Sequence, residues 1–363
     1  MLIGIFGTGR NGSTLLGRLL DGLGETYVHP VEENFLSVFD DIAKLGRVRG
    51  ETRFNSRSRA LKHLSEPVSS ELLRKYYAHS VNDLFGRFVS KCACTAKQQP
   101  FGVEDIIPEG RHLAADFYPA YLQALAARSR PDVSFKHHSF KTIETPFIED
   151  YLRVFPGMKC LHILRDPVTT CSSAKRTLME RKHYPASYLG MDWLVTMIDK
   201  RWLPHARAIF RHKGDSDHLT VLYENLTKNP AHEIKRIADW LQVGMPPHPT
   251  ELTVLHDCDL PEGDMNPSRA GVITPKKAVS DLQKQAGYQE ILTEREIAYI
   301  RFKTAPFLAE FRYDVSGESA PSRFSLAAQY LAVDEWEFMH CHNMKWRLRG
   351  LRGAIYRRAH ILV

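Results

Sequence analysis

With 363 residues, 43% of them hydrophobic and 25% charged, the chain has the composition of a soluble globular protein with a large core. Its net charge of +7 is unevenly placed: no acid occurs from Phe338 to Val363, which carries Lys345, Arg347, Arg349, Arg352, Arg357 and Arg358, so the body is close to neutral. That distribution excludes a core with basic charge spread over a nucleic-acid-binding face, and the lack of any apolar run near about 18 residues excludes a membrane-spanning helix.

In chain order, Leu2-Ile3-Gly4-Ile5-Phe6 reads as a buried strand, bounded by glycine. Gly7 to Gly12 is a loop. From Ser13 the apolar positions Leu15, Leu16, Leu19, Leu20 and Leu23 follow a helical period that Gly24 closes. This is strand, glycine loop, helix, the opening of a βαβ unit. Because Met1 leads straight into that strand, no signal peptide is expected. Residues 48–66, rich in Arg, Ser and Thr, read as a surface insertion, and helices are expected near 69–91 and 113–128. Val133 to Lys136 is expected as a strand. Thr145-Pro146 carries a cap-and-first-turn signal for a helix to Phe155, ended by Pro156-Gly157. Cys160 to Leu164 is a second buried strand, after which Asp166-Pro167 starts a helix. A long helix is expected over 191–211, a third strand over Leu219 to Leu222, and a helix from Asn229-Pro230 with Ile234, Ile237, Trp240 and Leu241 on one stripe. Strands alternating with helices predict an α/β fold of three layers: a central parallel sheet, helices on both faces, and helical insertions.

The loop Gly7-Thr8-Gly9-Arg10-Asn11-Gly12-Ser13-Thr14 has the frame of a P-loop. Its glycines let backbone N–H groups curl around a phosphate, and the helix N-terminus adds partial positive charge. It departs from a nucleoside triphosphatase at Ser13, which stands where that class carries lysine. Arg10 is the loop's cation instead. The loop therefore suits a phosphate ligand that needs neither Mg²⁺ nor a γ-phosphate. The alternative, a purely structural glycine turn, stays open on the loop alone.

A second anchor follows the strand at Cys160 to Leu164. Arg165 ends it, Asp166 is placed to cap the next helix, and Ser173 returns to the same helical face two turns on. Arginine and serine beside a helix N-terminus suit a phosphate monoester. An ordinary salt bridge at Arg165 is the other reading.

Together these motifs resemble the family of sulfotransferases that use 3'-phosphoadenosine 5'-phosphosulfate (PAPS), in its bacterial and carbohydrate branch. The glycine loop resembles the family's 5'-phosphosulfate loop, and the step from Arg165 to Ser173 its 3'-phosphate motif. Val221-Leu222-Tyr223-Glu224-Asn225-Leu226, followed by Asn229-Pro230, resembles its structural strand-and-loop segment, and Lys141 stands near the place of its lysine. The resemblance covers roughly residues 1–313, leaving 314–363 as a basic, partly helical extension. It implies that Arg10, Asn11, Gly12, Ser13 and Thr14 hold the 5'-phosphosulfate, with Lys141 as a helper. Arg165 and Ser173 would hold the 3'-phosphate, and Arg269 and Gly271, in Asn266 to Gly271, would close over the nucleotide. The cytosolic branch's histidine base is absent, since Ile143 occupies its place. In this branch a glutamate after the first helix serves, which here is Glu32, with Glu33 in reserve. His137 and His138, beside a strand, read as structural.

The resemblance thus implies in-line sulfuryl transfer to a hydroxyl or amine of a small molecule, sugar or lipid-linked acceptor. A P-loop kinase or nucleoside triphosphatase and a non-catalytic nucleotide-binding module are the rivals. Acceptor contacts are expected within 40–130 and 175–190. No metal is expected, because Cys92-Ala-Cys94 and His340-Cys341-His342 match no common zinc spacing and the six scattered cysteines read as free thiols. Lacking the N-terminal anchor of Golgi sulfotransferases, the chain is expected in the cytoplasm. Its tail, if helical, aligns Met344, Leu348, Leu351 and Ile355, which suits peripheral contact with an anionic membrane, docking on its own domain, or a homodimer.

Overall fold

The computed structural model describes residues 1–32, 67–74, 107–180, 191–253 and 291–313, save 72, 108 and 312. Among them the elements run β1 (Leu2–Phe6), α1 (Ser13–Asp21), β2 (Thr26–Glu32), β3 (Val68–Ser69), β4 (Arg111–His112), α2 (Ala114–Ser129) and β5 (His137–Thr142). Then come a 3₁₀ turn (Thr145–Phe147), α3 (Ile148–Val154), β6 (Lys159–Leu164), α4 (Pro167–Glu180), α5 (Met191–Met197), a π segment (Ile198–Trp202) and α6 (Leu203–Arg211). The last are β7 (His218–Leu222), α7 (Tyr223–Lys228), α8 (Pro230–Leu241) and α9 (Glu294–Glu310). The described residues form two units. The first comprises 1–7, 12–163 and 212–253; the second comprises 8–11, 164–211 and 291–313.

The first unit is the three-layer α/β fold that the alternation predicts. Its five-stranded sheet has the order β2-β5-β1-β6-β7, with β1 parallel to both β5 and β6. Strand β1 alternates its faces. Ile3 and Ile5 join Leu16, Leu19 and Leu20 of α1 and Ile234 and Ile237 of α8 in one buried cluster. Phe6 turns the other way, onto Tyr151 of α3 at 5.5 Å between ring centroids, and Phe140 beside it meets Tyr118 of α2 at 5.4 Å. Each fully buried Leu, Ile or Phe contributes about 1.5–3 kcal/mol relative to exposure, so these two faces hold the sheet in place.

In the second unit, α9 opens with a capping box, Thr293 accepting from the Glu296 N–H and Glu296 from the Thr293 N–H. Buried Glu296 also receives both hydrogen bonds of Lys175 Nζ, at 2.7 and 2.8 Å, which ties α9 to α4.

Three expectations need correction. The strand expected at Val133 to Lys136 lies one step later, at His137–Thr142. His-His-Ser-Phe-Lys-Thr is too polar to read as a central strand, yet it pairs on both sides and its Ser139, Lys141 and Thr142 are buried. Thr145 does not cap: Glu144 is the N-cap residue and Thr145 lies buried inside the turn. The segment from Tyr223 is helical, not a loop, and Thr227 Oγ1 donates to the Tyr223 carbonyl. Strand β2 and helix α9 lie outside the elements that the sequence predicts.

Two histidines are buried without charge. His29, in β2, is pushed down to about 3 by burial and then by the Lys141 charge, and His205, in α6, to about 3 by burial alone. Unfolding returns each to the ordinary value near about 6.5. The unfolded chain therefore binds more protons between pH 6.5 and about 3, and stability falls as pH drops through that window, by about 1.4 kcal/mol per pH unit for each histidine. Urea midpoints measured from pH 7.5 to 4.5 should show it, with His205→Leu giving a shallower decline by about one proton. An unchanged slope in that variant would mean that His205 is charged in the folded chain.

Candidate active site

The site begins with sheet register. Phe6 of β1 stands opposite His162 of parallel β6, so the loop after Phe6 and the residues after Leu164 leave the sheet at one edge. Open α/β sheets bind ligands there, beyond the carboxyl ends of their strands.

The loop curls through left-handed backbone: Gly9 at φ 78°, Arg10 at 60° and Gly12 at 98°. Two glycines adopt this at no steric cost, whereas Arg10 bears a penalty of about 1–2 kcal/mol. Such a run turns successive N–H groups toward one side, the form of an anion nest. Asn11 is fully buried, and Gly12 is the N-cap of α1, its carbonyl accepting from the Leu16 N–H at 2.9 Å. First-turn N–H groups of a helix have no intrahelical acceptor, so those of Ser13 and Thr14 are directed at whatever sits above α1.

Beyond β6, Arg165 is 8% exposed. Its Nη1 donates to the Arg10 carbonyl at 3.1 Å and its Nε to Thr169 Oγ1 at 3.1 Å. Arg10 Nε in turn donates to Ser173 Oγ at 3.4 Å. Asp166 caps α4 by accepting from the Thr169 N–H at 2.8 Å. Burial pushes the Asp166 carboxyl above the usual carboxylate range, against the pull of Thr169 and Arg165. Trp202, on the π segment, donates from Nε1 to the Arg165 carbonyl at 3.0 Å and fixes that turn. The structure thus brings Arg10, Arg165 and Ser173 together.

In the first unit, buried Lys141 donates to Thr14 Oγ1 at 3.1 Å. Strand β2 carries an irregularity between Val28 and Glu32, at Pro30, which has no N–H to give to a ladder. Past it, Glu32 stands in register opposite Lys141. His29 faces the same lysine, whose charge adds to burial in keeping the imidazole neutral. A cavity of about 20 Å³ lies among Thr14, Arg18, Asp21, His29, Lys141 and Thr253. That is room for about one water, not for an acceptor molecule. His137 and His138 lie at the opposite end of β5 from Lys141; His137 Nε2 meets the Leu241 carbonyl at 3.0 Å, and burial pushes His138 down to about 4.

Glu33, Arg269 and Gly271 lie outside the described residues, as does the basic tail. Among the described residues, no helix is long and apolar enough to cross a membrane. Sequence reasoning missed Thr169, Trp202 and the packing role of Tyr223. Thr169 had a signal, since it stands one helical turn after Arg165. Trp202 and Tyr223 had none, because their contacts are long-range.

A family model described as "Sulfotransferase family" matches residues 3–247. No curated protein is similar enough to match. Among solved structures, the sulfotransferase domain of the Synechococcus PCC 7002 olefin synthase is 19% identical with a TM-score of 0.46, over 87% of this chain and 96% of that one. A sulfotransferase from Mycobacterium avium is 14% identical with a TM-score of 0.44, over 87% and 78%. One from Alicyclobacillus acidocaldarius is 15% identical with a TM-score of 0.41, over 86% and 97%.

Gly12 offers a test of the loop. A Cβ there would fall 2.8 Å from Tyr223 Cε2, and nearer still to Cδ2, at a φ of 98°. Gly12→Ala should destabilise the chain by more than the about 1–2 kcal/mol of left-handed strain. In a Tyr223→Ala background its added cost should shrink toward that strain and the remaining 3.2 Å approach to Ile163 Cδ1, as read from urea denaturation in a double-mutant cycle. Equal costs in both backgrounds would show that the ring does not press on the loop.

Proposed function

This chain belongs to the sulfotransferase family, whose model spans residues 3–247, and from that premise we propose that it transfers a sulfuryl group from PAPS to a hydroxyl or amine of a small-molecule, sugar or lipid-linked acceptor. The observation that carries this reading is the grouping of Arg10, Arg165 and Ser173, joined at 3.1 and 3.4 Å. A turn that gathers two arginines and a serine favours a ligand with more than one phosphate-like charge.

In the proposed reaction the donor supplies the sulfuryl group and a phosphate as its leaving group. Arg165 and Ser173 hold the 3'-phosphate. Arg10, Asn11 and the N–H groups of Gly12, Ser13 and Thr14 hold the 5' end and take up the charge that develops on the leaving phosphate, where preorganised donors act most strongly. The S–O bond to that phosphate breaks as one forms to the acceptor, whose proton passes to Glu32, with Glu33 in reserve. Lys141 assists from beside Thr14. A carboxylate base is favoured because His29, held near about 3, binds a proton too weakly to serve at neutral pH. Arg269 and Gly271 would cover the nucleotide. Peripheral membrane contact and a homodimer remain roles proposed for the tail, and the cytoplasm the proposed location.

Calorimetry with 3'-phosphoadenosine 5'-phosphate, AMP and ATP tests the donor. The bisphosphate should bind tightest. Arg165→Ala should cost it about 1.5–3 kcal/mol, roughly ten- to a hundred-fold, while leaving AMP little changed. Tightest binding of ATP would turn the reading to a kinase. Transfer of radiolabelled sulfate from PAPS into a metabolite extract tests the activity, and its absence alongside bisphosphate binding would favour a non-catalytic module. Glu32→Gln should lower the transfer rate by about 10²–10⁴-fold; full activity would pass the role to Glu33.

A further inference from the structure

The other end of β6 carries a cluster that the proposed reaction does not use. Cys160 and His162 alternate on the aromatic face of the sheet, and His218 opens the neighbouring strand β7. One ligand atom from each of the three lies within 4.8 Å of the others. His162 Nε2 stands 3.0 Å from His218 Nδ1. Two nitrogens bound to one zinc-like ion at about 2.0–2.1 Å, at a near-tetrahedral angle, stand roughly 3.3 Å apart, so the pair needs only a small separation to share an ion.

The surroundings favour a cation. His212 stacks on His218 at 4.1 Å between centroids, and its two nitrogens meet Asp215 Oδ2 at 2.9 Å and Glu149 Oε1 at 3.1 Å. The charges of Glu149 and Asp217 reach both Cys160 and His218. His162 stacks on Phe6 at 5.9 Å, which fixes the inner imidazole, while His218 is only half-buried and gives access from solvent.

We propose that Cys160, His162 and His218 bind one divalent transition-metal ion of the Zn²⁺ class, its fourth position open toward His212 and Asp215, as a structural clamp between β6 and the edge strand β7. A sulfur and two imidazoles are the ligand set for such an ion. The carboxylates on His212 hold that ring against His218, an orienting role that outer groups commonly play at metal sites. A thiol binds such an ion as the thiolate, so the Cys160 proton leaves as the ion arrives. The step balances: the S–H bond breaks, a sulfur–metal bond forms, and one proton passes to solvent. Cys160 and His162 precede the end of β6 and Arg165 follows it, so the site is separate from the proposed donor contacts.

The full-length chain, reduced and stripped of metal with a chelator, should take up one equivalent of Co²⁺ with the visible bands of a tetrahedral ion and a thiolate-to-cobalt charge-transfer band. Cys160→Ser, nearly isosteric, should abolish the charge-transfer band, weaken binding at least tenfold, and remove the released proton read from buffer-dependent heats. His218→Asn should lose the same equivalent, whereas Cys171→Ser should change none of these. Zn²⁺ should raise the melting temperature of the wild type but not of His218→Asn. No Co²⁺ uptake by the wild type, or an unaltered spectrum in Cys160→Ser and His218→Asn, would overturn the proposal and leave the histidines as a packed, hydrogen-bonded stack.

Discussion

The parallel pairing of β1 with β6 decides where the candidate site can form. It aligns Phe6 with His162 and makes two chain segments, separated by more than 150 positions, leave the sheet at one edge. Neither segment alone carries both arginines. The glycine loop brings one arginine, and the turn after β6 brings another with a serine on the next helix. Because the register is buried on both faces, between Ile3 and Ile5 on one side and Phe6 on the other, a slip would cost the core as well as the site.

The loop stores strain at its apex. Arg10 holds a left-handed backbone that suits glycine, and its own carbonyl accepts from Arg165. A non-glycine residue persists in that region only where its surroundings over-determine it. Here the hydrogen bond from Arg165 supplies part of that determination, and Trp202 steadies Arg165 in turn. The proposed donor would meet a preformed cradle rather than order a floppy one, which spares part of the entropic cost of binding.

Much of this was legible in residue order, for local reasons. A glycine loop between an apolar strand and a leucine-striped helix, and Arg-Asp-Pro after a second strand, are short-range signals. The strands β1, β6 and β7 and the helices α1, α4 and α8 announce themselves through periodicity and cap residues. Strand β5 did not, because Ser139, Lys141 and Thr142 are polar residues that only two flanking strands make tenable in the interior. Strand β2 was hidden by His29 and Pro30, and α9 by its weakly patterned sequence, although Thr293 and Glu296 form a legible capping box. Long-range partners such as Trp202 with Arg165 leave no trace in local sequence. The same holds for the cysteine and histidines of β6 and β7, more than 50 positions apart, so no spaced metal motif exists to be read.

The buried lysine gives the proposed chemistry its direction. Lys141 is anchored to Thr14, the first turn of α1, and stands in register with Glu32. A buried ammonium disfavours any second positive charge nearby and favours a negative one. It acts in that sense on His29, helping to hold it uncharged. Lys141 thus helps to remove His29 from competition as the base of the proposed reaction.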